Sequence, residues 1–60
     1  MDKEYLMEQY RLAILNFQTA HNEDEQWSAR KQMANIERTA LELFGNELDQ
    51  EFESMKDTIR

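Results

Sequence analysis

Three observations predict an all-α fold, a small antiparallel bundle of two to three helices that self-associates. The chain has no proline and a single glycine, Gly45, so backbone chemistry forbids helix almost nowhere along it. Its apolar residues recur at alternating spacings of four and three, the repeat of one helix face. The repeat pauses twice, at the polar run His21-Asn22-Glu23-Asp24-Glu25-Gln26 and at Gly45-Asn46. These pauses divide one domain, residues 1–60, into helices expected over 2–20, 24–44 and 47–59. Short connections make successive helices antiparallel neighbours, with the central one expected between the other two.

In the first helix Leu6, Tyr10, Ala13, Phe17 and Ala20 form the seam, flanked by Met7 and Ile14. Asp2 and Glu4 fall in the expected first turn, where they suit the positive end of the helix dipole. Tyr5, Leu12 and Leu15 lie on the far side of the same helix, separated from the seam by Glu8, Gln9, Asn16 and Arg11. One helix therefore has apolar residues facing two ways.

The second helix begins within residues 22–25: Asn22 with Glu25 three residues later has the form of a capping box, and Asp24 is a competing cap. Ala29, Met33, Ile36, Ala40 and Leu43 repeat the four-three spacing, while Trp27, Ala34 and Leu41 make a separate seven-residue row, with Phe44 between the two sets. The combined apolar arc covers roughly half the circumference, more than a single two-helix contact requires. Arg30 and Glu37 project between the rows, placed either to lie along an interface edge or to form a partner-specifying ion pair.

Gly45 is expected to end this helix as a left-handed C′ residue, with Asn46 and Asp49 as a weak cap for the next. A continuous helix from Trp27 onward is the rival reading and costs about 1 kcal/mol for the internal glycine. In the third segment Leu48, Phe52, Met55 and Ile59 form a narrow stripe among Glu47, Asp49, Glu51, Glu53 and Asp57.

Size and charge restrict function. A 60-residue chain with no cysteine and one histidine lacks the disulfides or structural metals that stabilise many small domains, which leaves a second subunit or a partner. Thirteen acids against seven bases give a net charge of −6, the wrong sign for a nucleic-acid or anionic-membrane surface. Residues 27–44 are the one slightly basic stretch, with three bases and two acids. There is no run of about 20 apolar residues and no basic segment leading into an apolar one, so a cytoplasmic protein is expected.

Chemistry is thinly represented. His21 with Glu23, Asp24 and Glu25 could hold a divalent ion, but the spacing fits neither a zinc motif nor a calcium loop, and no metal or cofactor is expected. Ser28, Thr19, Thr39, Ser54 and Thr58 have no general base arranged beside them, so no catalytic residue is assigned and no enzyme is expected. The aromatic residues keep helical spacing and lack the basic groove of a base-stacking protein. Trp27 and Tyr5, each near the start of a helix on a secondary face, suit binding anchors.

The stretch Glu47-Leu48-Asp49-Gln50-Glu51-Phe52-Glu53-Ser54-Met55 locally resembles the helix onset with which the Sin repressor and anti-repressor family makes dimer contacts. The likeness covers under a sixth of the chain and implies an interaction role. Together these features predict a small acidic protein-interaction module, a regulator, adaptor or inhibitor that binds a protein through helical surfaces and forms a homodimer. Tyr5, Leu12, Leu15, Trp27 and Leu41 are the expected contact residues. The alternatives are a structural self-assembling subunit, and a DNA mimic whose acidic face is Asp49, Glu51 and Glu53.

Overall fold

The computed structural model describes residues 2–57, so Thr58 and the expected stripe residue Ile59 lie outside the description. Three helices follow in order: α1, Lys3–Gln18; α2, Glu23–Phe44; and α3, Asp49–Lys56. Among the described residues there is no strand.

Side chains set each helix start where the sequence offers a short acceptor. Asp2 stands at the N-cap of α1, outside the first turn in which it was expected, and its carboxylate accepts the Tyr5 N–H at 2.8 Å. Asn22 caps α2 by accepting the Glu25 N–H at 2.9 Å. Glu25 reaches back to the backbone N–H of His21 at 3.1 Å, one residue earlier than the usual capping-box partner. Asp24 thus takes a first-turn position, with Glu23 and Glu25, at the positive end of the α2 dipole. At the other end of α1, the Thr19 backbone N–H and hydroxyl both donate to the Leu15 carbonyl, and the helix stops two residues short of Ala20.

Gly45 breaks the helix, and it does so without the left-handed helical conformation the sequence suggests. Its φ of 66° and ψ of −135° belong to the first central position of a type II′ turn, which the Glu47 N–H closes onto the Phe44 carbonyl at 3.4 Å. The N–H of Gly45 itself caps the Leu41 carbonyl at 2.9 Å. Asn46 does not cap α3: Leu48 holds the N-cap position with no side-chain bond, and only the Asn46 carbonyl contributes, accepting from Asp49.

This turn sends α3 to an unexpected place. Tyr10 meets Glu37 and Asn16 meets Gln32, so α1 and α2 are antiparallel. Glu47 pairs with Lys3 and Phe52 stacks on Tyr10, so α3 runs alongside α1 in the same direction. The helix that packs against both others is therefore α1, where the sequence puts α2 between its neighbours. The cause is that Phe52 stacks on Tyr10 of α1 and Leu48 joins the same buried cluster, with Met55 packed against it, which leaves the second row of α2 uncovered.

The core is small. Leu6, Tyr10, Ala13, Ile14, Met33, Ala40, Leu48 and Phe52 form its buried cluster, with Met7, Ile36, Phe44 and Met55 packed around it. Ala13 and Ala40 have side chains short enough to let the two long helices approach closely, at the expense of apolar area. Leu43, expected on the buried seam of α2, is exposed because the seam ends where the chain begins to turn.

The Gly45 geometry yields a signed prediction. A Cβ at this position would meet nothing within 4 Å, so the cost of Gly45→Ala is backbone strain alone, about 1 to 3 kcal/mol. D-alanine, placed by chemical synthesis, fits the same φ and should stabilise the fold by about 0.4 to 1 kcal/mol. Urea unfolding of the two variants tests this; equal effects would mean that the turn is not held at positive φ.

Candidate functional site

Two α-helices side by side leave a groove on each side of their contact line. On one side α3 fills it; on the other the α1–α2 groove is open, with a volume of about 410 Å³. Its floor is apolar, from Leu6, Ala13 and Ile36, and Tyr5 and Leu12 stand on its α1 edge. Its remaining walls are neutral polar: Gln9 and Asn16 from α1, Gln32, Asn35 and Thr39 from α2. No charged residue lines it, in a chain of which 33% is charged. The Asn16 amide donates to Gln32 across it at 3.5 Å, a long bond at an exposed position that a new partner group could replace.

The second surface is the outer flank of α2. Trp27 is 63% exposed and Leu41 59%, and Ala34 between them is also exposed. Leu15, 46% exposed, continues the α1 surface beyond Leu12, and Leu43 adds an apolar residue that the sequence assigns to the core. Among the described residues six large hydrophobic side chains are thus exposed by 39–63%, as many as the six large ones in the core.

Of the residues the sequence selects, Tyr5 and Leu12 come together at the groove, whereas Trp27 and Leu41 lie on a different face. The expected acidic face is split: by helical position Asp49 and Glu53 share a flank with Lys56, and Glu51 falls on the other side of the Leu48–Phe52 stripe. Glu53 lies 3.7 Å from Lys56. Among the described residues no group of three histidine or acidic side chains is placed to hold a metal, and no helix is long and apolar enough to cross a membrane. The wall amides are what sequence reasoning missed. Their only signal was that Gln9, Asn16, Gln32 and Asn35 are uncharged where charged residues are common.

Behind both surfaces lies one polar network. The fully buried Tyr10 donates its hydroxyl to Glu37 at 3.1 Å, and Lys56 pairs with the same carboxylate at 3.6 Å. Arg30 does not pair with Glu37; its guanidinium sits 5.6 Å from the centroid of the Phe17 ring. Burial, followed by the negative charge and hydrogen bond of Glu37, pushes the Tyr10 phenol far above its ordinary range.

The chain matches no family model, no curated protein and no solved structure. The likeness of residues 47–55 to the Sin family therefore remains local, and its helix begins at Asp49, two residues into the stretch.

The Tyr10 environment makes stability depend on alkaline pH. An unfolded tyrosine loses its proton near pH 10. The folded protein holds the Tyr10 proton to higher pH, so above about pH 10 the unfolded state binds fewer protons and stability falls as pH rises. The stability difference between wild type and Tyr10→Phe, measured by urea unfolding, should be constant from about pH 7 to 9 and should shrink above about pH 10. A difference that stays flat to about pH 11 would remove the burial argument.

Proposed function

We propose that the protein is a small acidic interaction module, a regulator, adaptor or inhibitor that binds protein through helical surfaces and has no chemistry of its own. The observation that carries this reading is the open, uncharged α1–α2 groove with Tyr5 and Leu12 on its edge. Its occupant in this reading is a second copy of the chain, packed by a two-fold axis so that the Tyr5–Leu12 ridge of each copy enters the groove of the other. Two chains of net charge −6 repel, and a groove lined by no charged side chain is where they can meet without burying like charges at the centre of the contact. The resulting four-helix layer uses ordinary bundle packing and an isologous interface. The molecule measures 33 × 18 × 15 Å, so its broad face is on the order of 600 Å² per partner, the lower end for a stable interface.

A closed dimer ends assembly at two chains, which favours a regulator over an open-ended structural subunit. It also leaves the Trp27 row facing outward on each copy, available to a different protein.

Light scattering on a sizing column tests the dimer. Wild type should run as a dimer across a hundredfold concentration range, while Leu12→Glu, and Leu12→Gln with Leu15→Gln, should run as monomers. Both leucines are exposed, so monomer stability should change by no more than about 0.5 kcal/mol per site. Wild type that stays monomeric at millimolar concentration, or variants that stay dimeric, would sink the assignment of the groove to a second copy.

A further inference from the structure

We propose that the Trp27–Ala34–Leu41 row of α2 docks an acidic amphipathic helix of a partner protein, held by the cations Arg30, Lys31 and Arg38 that flank the row. This rests on the reading of the protein as an interaction module and assigns the chemistry of its partner.

Among the described residues the fold leaves part of its positive charge without an ion-pair partner. The ion pairs of the described residues use Lys3, Arg11 and Lys56. Arg30, Lys31 and Arg38 take part in none, although acids outnumber bases by thirteen to seven in the chain. All three belong to α2. At about 100° per residue, Arg30 falls on one flank of the row and Lys31 and Arg38 on the other. The acid nearest the middle of the row, Glu37, is turned inward to Tyr10 and Lys56. Glu23 and Glu42 stand toward its two ends.

An apolar stripe bordered on one side by Lys31 and Arg38 and on the other by Arg30, which rests on Phe17 but has no carboxylate partner among the described residues, is complementary to a helix with an apolar stripe bordered by carboxylates. Residues 27, 34 and 41 are two turns apart in succession, so the row is about 20 Å long and matches four turns of a partner helix. Trp27, 63% exposed, supplies a large amphipathic anchor at one end of the row. The net charge of −6 points instead to basic partners, but at physiological salt charges beyond about 8 Å are largely screened, and the near field of the row is positive. Duplex DNA fits poorly: it offers the row no apolar stripe, and its dense charge meets the whole acidic molecule.

Trp27, the single tryptophan, reports on its own site. The probes are two synthetic 18-residue helical peptides with identical leucine stripes, one flanked by glutamates and one by lysines. The glutamate peptide should shift Trp27 emission to the blue, saturably and at micromolar concentration. Lys31→Glu with Arg38→Glu should weaken it at least tenfold and turn the preference toward the lysine peptide. Lys31→Gln with Arg38→Gln should weaken it without reversing the preference. Binding should persist in monomeric Leu12→Glu, so failure of the dimer and failure of this site are separable. A lysine peptide that binds as well as the glutamate one, no shift at millimolar peptide, or an equal shift with phosphatidylserine vesicles or duplex DNA would each overturn the proposal.

Discussion

Tyr10 is the point on which the three helices converge. Its ring stacks on Phe52 of α3 at 4.2 Å between centroids, and its hydroxyl reaches Glu37 of α2. Lys56, at the far end of α3, closes the loop by pairing with the same carboxylate. A buried hydroxyl without a partner would cost about 1 to 3 kcal/mol, so the position of Glu37 is a condition for burying Tyr10 at all. Among the described residues no buried side-chain polar atom lacks a partner. Because Tyr10 belongs to α1, the helix that packs against both others has to be α1.

From that constraint the surface follows. The eight-residue α3 can fill only one of the two grooves beside the α1–α2 contact, and it takes the one where Tyr10 offers an aromatic face. The opposite groove stays open with an apolar floor and amide walls. The second apolar row of α2 also stays open, since the helix that might have covered it is committed elsewhere. A chain this short cannot bury both faces of two helices. Its core gains cohesion from the Tyr10–Phe52 pair and several well-placed caps, and six large hydrophobic side chains among the described residues remain exposed, as many as are buried.

Much of this was legible in the sequence, and the failures share a cause. The four-three spacing marks α1 and α2, and Asn22 with Glu25 marks the start of α2. These are local features, settled by residues a few positions apart. The exposure of Tyr5, Leu12, Leu15, Trp27 and Leu41 agrees with their places on secondary faces. What the sequence obscured was non-local. The type II′ geometry of Gly45 determines the direction in which α3 leaves α2, and a glycine permits several such directions. With that direction unknown, the width of the apolar arc on α2 pointed to the wrong helix as the centre. The same uncertainty concealed the role of Glu37, whose partners come from two other helices, and the neutrality of the groove, which is assembled from two segments.

Net charge is a poor guide to what such a molecule recognises, because recognition is local and charge here is segregated by face. Acids crowd the start of α2 and border the stripe of α3, where they serve a helix dipole or solubility. The groove is neutral, and a neutral face suits a self-complementary contact between like-charged molecules. The Trp27 flank carries the cations that the ion pairs of the fold leave uncommitted. An interface core must be desolvated, whereas attraction at longer range requires charge that stays hydrated, so the cations of the Trp27 flank stand beside its apolar row and not within it. In the proposed reading the neutral groove is occupied by a second copy, and the Trp27 flank is left to a different protein.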